Sequence, residues 1–237
     1  MKINKSLLFL VFVSLIFSFS FWFSNHKNKL RKEDEVQIVF THSPFFLNSD
    51  LVNKLLTQNL KSKSIQEKDS LDLNMLETQL ERTPEVENAE VFILPKGELS
   101  ISITERTPLF QLATTPPLYV DENGVAFTYK TIDNKEYPSF LTDVGSETLK
   151  MTATLVKKLK VDPFLEYELK HVSFRDAEYS IQLKSYPFEV VFGNTLHFKK
   201  KINKLKIFCA FQNVQDSLSG YKKINLTYKN QVVASTP

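Results

Sequence analysis

Leu99-Ser100-Ile101-Ser102-Ile103-Thr104-Glu105-Arg106-Thr107-Pro108 alternates apolar and polar residues and then stops at a proline. A period of two marks a strand with one face in a core and the other in water, so Leu99, Ile101 and Ile103 are expected inside and Ser100, Ser102 and Thr104 outside. Just upstream, Ala89 to Leu94 reads as a second strand. Pro95, Lys96, Gly97 and Glu98 join the two, since proline fixes one dihedral of a turn and glycine tolerates positive φ. Before that pair, Asp72 can cap a helix whose stripe is Leu73, Leu76 and Leu80, and Pro84 ends it. A preceding helix, capped by Asn48, Ser49 or Asp50, carries Leu51, Val52, Leu55, Leu56 and Leu60 on one face. Val36, Ile38 and Phe40 open the segment as a strand. The order strand, helix, helix, strand, strand over residues 36–108 predicts a compact α+β module, a three-stranded sheet with two helices on one face. Glu-Arg-Thr-Pro occurs at Glu81 and again at Glu105, but one copy ends a helix and the other a strand, so no repeat is implied.

Beyond Pro116 and Pro117 a second domain is expected over residues 117–237. Leu118-Tyr119-Val120 and Val125-Ala126-Phe127 flank Asp121-Glu122-Asn123-Gly124, an Asn-Gly hairpin. An amphipathic helix follows at about Ser146 to Lys160. Strands come next at Leu169 to Phe174, Tyr179 to Leu183 and Phe188 to Phe192, then a helix from Thr195 to Phe211. Ile224 to Ala234 closes the chain as one strand, with Ile224, Leu226 and Tyr228 on one face. The fold class is therefore α+β in both modules, the second with a largely antiparallel sheet.

Upstream of both modules, Leu7 to Phe23 contains no charge and only Ser14, Ser18 and Ser20 as polar residues. Seventeen residues at about 1.5 Å each give roughly 26 Å, the short end of a membrane span. Residues 7–24 are read as a transmembrane helix, with Leu7, Leu10, Val13, Ile16, Phe19 and Phe23 among its anchoring side chains. They separate a short N-terminus, 1–6, from a juxtamembrane linker, 25–35. A cleaved signal peptide, with Lys2 and Lys5 as its basic region and Ser18-Phe19-Ser20 as a loose cleavage site, is the competing reading. The apolar run continuing through Trp22 and Phe23 favours retention. Basic residues flank both ends, so charge alone does not set the orientation. Without a second apolar run of about 18 residues, everything after Ser24 is expected on one side of the membrane.

Composition narrows the chemistry. The 237 residues are 42% hydrophobic and 24% charged, which excludes a disordered or collagen-like chain. The formal charge is +3, yet residues 1–32 hold six Lys or Arg and no acid, leaving 24 basic and 27 acidic residues downstream. The body is thus slightly acidic and unsuited to nucleic acid. One cysteine excludes an internal disulfide; Cys209 falls on the helical stripe Phe198, Ile202, Leu205, Cys209 and reads as core filler. His26, His42, His171 and His197 are scattered, so no metal centre is expected. The five glycines form no phosphate-cradling cluster, and no nucleophile elbow occurs, so neither a catalytic residue nor a cofactor or small-molecule substrate is expected. Lys199, Lys200, Lys201, Lys204 and Lys206 read first as a solvated helix face, with an acidic polymer, anionic lipid or acidic partner as the alternative.

The order of these features, above all Leu99 to Pro108 followed by Tyr119-Val120-Asp121-Glu122-Asn123-Gly124-Val125, resembles the FtsQ/DivIB family of bacterial cell-division proteins. Val86-Glu87-Asn88-Ala89-Glu90-Val91, Phe188-Glu189-Val190-Val191-Phe192-Gly193 and the terminal Ile224 to Val233 add to the likeness. The resemblance implies a POTRA-like first module and a β domain after it. It further implies a non-enzymatic scaffold in the cytoplasmic (inner) membrane, N-terminus in and body extracytoplasmic, enriched at the division septum. Its implied partners are FtsB-like and FtsL-like proteins and other divisome components, and its implied process is septal peptidoglycan synthesis. An edge strand can pair its free amides and carbonyls with a partner. Ile224, Leu226, Tyr228, Lys229, Asn230 and Val232 are accordingly the candidate partner-binding residues. The alternative is a POTRA-containing export or outer-membrane assembly factor, which predicts tandem modules or a following barrel that the remaining 120 or so residues do not display.

Overall fold

The structure is a computed structural model that describes residues 5–29, 37–42, 47, 50, 52, 54, 72–95, 99–129, 135–142, 144–215 and 220–236. The chain divides into two compact units, Met1–Ser43 with Ser49–Glu81 and Asn88–Thr104, and Pro44–Asn48 with Arg82–Glu87 and Glu105–Pro237.

In the first unit, helix α1 spans Lys5–Lys29, five residues beyond the expected end at Ser24 and into the expected linker. Neither Gly nor Pro interrupts it, and His26, Lys27 and Lys29 suit the negative end of a helix dipole. Leu10, Ile16, Phe19 and Phe23 are exposed and Val13 is half-buried, while the side chain of Leu7 lies outside the described residues. Phe9–His26 is long and apolar enough to cross a membrane and buries nothing against the protein.

Strand β1, Gln37–Phe40, pairs in parallel with β3, Leu99–Glu105, placing Ile38 beside Ile101 and Phe40 beside Ile103. Strand β2, Val86–Ile93, takes the other side of β3, giving the order β1-β3-β2. Helix α2, Leu73–Glu81, starts where Asp72 Oδ1 accepts the Met75 amide, and it buries Leu76 and Leu80. The carboxylates of Glu77 and Glu81 accept the amides of Val91 and Ala89, at 2.8 and 3.4 Å. Those amides alternate along β2 and face away from β3, so the two carboxylates lie at the outer border of the sheet. Ile101 and Ile103 are fully buried, as the alternation requires; Ser100, expected in water, is only 3% exposed. The turn at 96–98 and most of the helix expected from Leu51 to Leu60 lie outside the described residues; Asp50, Val52 and Lys54 are helical there, and Val52 is buried.

Among the described residues, the second unit carries a nine-stranded mixed sheet in the order β12-β11-β10-β9-β8-β7-β4-β5-β6. Its strands are β4 (Phe110–Leu112), β5 (Leu118–Val120), β6 (Ala126–Phe127), β7 (Ser139–Phe140), β8 (Leu169–Arg175), β9 (Glu178–Leu183), β10 (Glu189–Gly193), β11 (Lys223–Asn225) and β12 (Val233–Ser235). Five of the eight pairings among the described residues are antiparallel and three parallel, so the sheet is mixed with antiparallel pairing in the majority, as expected. The helices are α3 (Ser146–Lys160), α4 (Pro163–Glu168) and α5 (Phe198–Gln215). One row of residues in register, Leu112, Phe140, Val172, Ile181, Val190, Ile224 and Ala234, crosses seven strands on a single face. That face, with Ala153, Leu155, Val156 and Leu159 of α3 and Ile202, Leu205 and Cys209 of α5, is the core. Cys209 is 1% exposed, and burial pushes its thiol up to about 12. It therefore stays protonated and unreactive, as a core filler should.

The Asn-Gly hairpin forms as read. Gly124 has φ +79, and the Asp121 carboxylate accepts the amides of Asn123 and Val125 at 3.0 and 2.7 Å to shape the turn. Its other oxygen takes Nη1 of Arg106 at 2.6 Å. Arg106 spends its remaining donors on two carbonyls, Pro84 through Nε and Val86 through Nη2.

Candidate partner-binding edge

Residues 224–234, expected as one strand, form two. The chain pairs β11 in parallel with β10, leaves the sheet after Asn225, and returns antiparallel as β12, with Ile224 opposite Ala234. The break has local causes. Asn225 Oδ1 accepts both the amide and the hydroxyl of Thr227, at 2.8 and 2.7 Å, closing a side-chain turn that competes with the ladder. The Leu226 amide is taken by the Val191 carbonyl at 3.0 Å, drawing the Leu226 side chain into the core.

The candidate residues consequently separate. Ile224 and Leu226 are fully buried and belong to the protein's own core, so neither side chain is presented to a partner. Val232 is half-buried against that core. Tyr228, Lys229 and Asn230 are exposed together on the connecting loop, Tyr228 at 48%. The sheet has two border strands, β6 and β12; the terminal segment supplies β12, and among the described residues no strand pairs with its outer side. Val233 and Ser235, which the alternation pattern did not single out, lie on that border and are exposed. An outermost strand is three residues long here, long enough to offer free main-chain groups and too short to be a strong template.

What holds the border in place comes from the lysine cluster. Lys204 on α5 sends its ammonium to the carbonyls of Leu226, Tyr228 and Gln231, at 2.9, 2.6 and 3.4 Å. Burial lowers its pKa from the ordinary lysine value, the cost of placing a charge under the loop. Lys201 is only 5% exposed, donates to the Asn194 carbonyl at 2.7 Å and lies 5.1 Å from the Phe192 ring centroid. Lys206 pairs with Asp162 at 3.0 Å. Lys201 and Lys204 are thus drawn inward, while Lys199, Lys200 and the Lys206 side chain, 42% exposed beside Asp162, stay at the surface, so the solvated basic face expected of the cluster forms only in part. Gly193, φ +72, completes the seat: a Cβ there would stand 2.6 Å from the Thr227 methyl. Lysine spacing along a helix does not reveal which carbonyls a loop will bring to it, which is why this clamp was not legible beforehand.

Lys204→Met keeps the length of the side chain and removes its charge and three donors. The amides of residues 226–231 are expected to exchange with deuterium about 10-fold or more faster, equivalent to the loss of one charged hydrogen bond, while those of β8 and β9 are unchanged. Uniform exchange across both regions would mean that Lys204 does not act locally.

Fold and edge define a helix-anchored α+β protein whose larger sheet ends in an open border strand. The family described as FtsQ/DivIB, C-terminal related, matches residues 107–235, more than half of the chain, and the chain belongs to this family of bacterial cell-division proteins. The family is one of non-enzymatic division scaffolds, which places other division proteins in general among the partners. The one apolar helix of membrane-spanning length among the described residues, at the N-terminus, fits a single-pass membrane protein. No curated protein matches the chain.

Proposed function

We propose that the chain is a septal scaffold of the cytoplasmic membrane that binds FtsB-like and FtsL-like proteins and, with other divisome components, helps control septal peptidoglycan synthesis. In this reading residues 1–6 are cytoplasmic, 7–24 cross the membrane, 36–108 form a POTRA-like recruitment module outside the cytoplasm, and 117–237 form the β domain that captures partners. The protein catalyses no reaction itself. The observation that carries the proposal is the open border strand β12, which lies inside the family-matched region 107–235. Main-chain pairing along β12 would supply affinity, and Tyr228, Lys229 and Asn230 beside it, with the exposed Val233 on it, would supply selectivity. Ile224 and Leu226 would contribute by supporting the border from within.

The test is recovery of partners on the tagged full-length chain from solubilised membranes. Two small coiled-coil proteins are expected with the native sequence. Ala234→Pro, which removes the outward-facing amide of β12, is expected to reduce their recovery about 10-fold or more. Tyr228→Glu should do likewise without a change in thermal unfolding. Undiminished recovery with both variants would place the contact elsewhere.

A further inference from the structure

The face of the large sheet opposite the core holds a second feature. The register sets Tyr119 beside Gln111, Gln111 beside Ser139 and Ser139 beside His171, a row across β5, β4, β7 and β8. An open cleft of about 520 Å³ lies over this row. That volume is in the range of small-ligand sites and would hold a disaccharide-sized molecule.

Three properties of the cleft bear on its occupant. His171 lines it, and its buried Nδ1 has no hydrogen-bond partner among the described residues. A buried polar atom without a partner carries a penalty that a ligand can relieve. A bulge in the pairing of β8 with β9, between Leu169 and His171, re-aims this part of the strand. Charge is the second property. Lys135, Lys170 and Lys184 line the cleft with Glu136, which pairs with Lys184 at 2.7 Å, leaving two cations in excess. Burial, and Lys170 beside it, lower the pKa of His171, so the imidazole is neutral and can donate and accept. The third property is the wall, where the rings of Tyr119 and Tyr137 meet edge to face with centroids 5.5 Å apart.

We propose that this cleft binds a carboxylated saccharide, through Gln111, Ser139 and His171 on its floor, Tyr119 and Tyr137 at its wall and Lys135 and Lys170 at its rim. An amide, a hydroxyl and an imidazole in a line match the alternating donors and acceptors of sugar hydroxyls, and an aromatic wall accepts the C–H face of a pyranose. The two cations match a carboxylate. An acidic peptide fits less well, because β4, β7 and β8 are interior strands paired on both sides and offer no main-chain groups to an added segment. The cleft is separated from β12 by β9, β10 and β11, so its failure and that of the partner-binding edge are distinguishable.

Glucuronic acid and glucose differ at one carbon, carboxylate against hydroxymethyl, and form a matched pair of probes. Titrated into the full-length chain in a neutral detergent and followed by ligand-observed NMR, glucuronic acid is expected to bind with a Kd of about 1–10 mM, and glucose about 10-fold or more weakly. Lys135→Gln with Lys170→Gln, both rim positions, should erase that difference. Ser139→Val should abolish both signals with thermal unfolding unchanged; Gln111→Leu serves if Ser139→Val is unstable. Absence of binding by glucuronic acid, persistence of the preference in the double variant, or equal or tighter binding of triglutamate would overturn the proposal.

Discussion

Arg106→Met is expected to lower the stability of the second unit by about 3–5 kcal/mol, the usual result of stranding one member of a buried ion pair. Asp121 is 3% exposed and Arg106 10%, so water replaces neither partner readily. The substitution leaves one Asp121 oxygen without its cation and the carbonyls of Pro84 and Val86 without their donors. Arg106→Lys retains the charge but lacks the three separate nitrogens of the planar guanidinium that serve Pro84, Asp121 and Val86, so an intermediate loss is expected. Asp121→Asn in the Arg106→Met background should recover part of the loss, because the stranded charge is then gone. Urea unfolding in detergent, read by the near-ultraviolet signal of the tyrosines, measures all three. A loss below about 1 kcal/mol for Arg106→Met would show the pair to be solvated in practice.

Gly124→Ala is expected to lower the same stability by about 2–4 kcal/mol, combining positive-φ strain with overpacking. At φ +79 an alanine is strained whatever the space around it. Here there is no space either: its Cβ would stand 2.7 Å from both the Cα and the amide nitrogen of Lys150. These are backbone atoms of α3, so no rotamer relieves the contact. The hairpin or the helix has to move, and Ala153 and Val156 of that helix are fully buried. Gly145→Ala is the control. Gly145 has φ −71, and a methyl added there would meet nothing within 4 Å, so the change should stay within about 1 kcal/mol. Similar losses at both positions would remove the steric argument.

Local chemistry made much of this fold readable. Asn123-Gly124 announced its turn because φ > 0 restricts the residue, and Leu99 to Thr104 announced its strand because a half-buried surface demands period two. The α5 stripe through Ile202, Leu205 and Cys209 emerged for the same reason. Contacts distant in sequence were hidden. Nothing near Gly124 indicates that Lys150 will press against it, and nothing near Lys204 indicates that it will meet the carbonyl of Tyr228, 24 residues away. The terminal segment failed in an instructive way. Ile224, Leu226 and Tyr228 do alternate, but Asn225 captures Thr227 and ends the ladder at once, so a local hydrogen bond overrode the pattern. Of the candidate site, Tyr228 to Asn230 were read as part of the strand and instead lie exposed on a loop. The true border at Val233 to Ser235 depended on where the chain turned back.

Glu77 and Glu81 act as a terminator for the smaller sheet. By taking the Val91 and Ala89 amides they deny that margin to any incoming chain, whether a neighbouring copy or a misfolded stranger. A crowded membrane surface would otherwise favour growth of such a sheet from molecule to molecule. Two acids on one short helix thereby keep growth by β2 from competing with assembly.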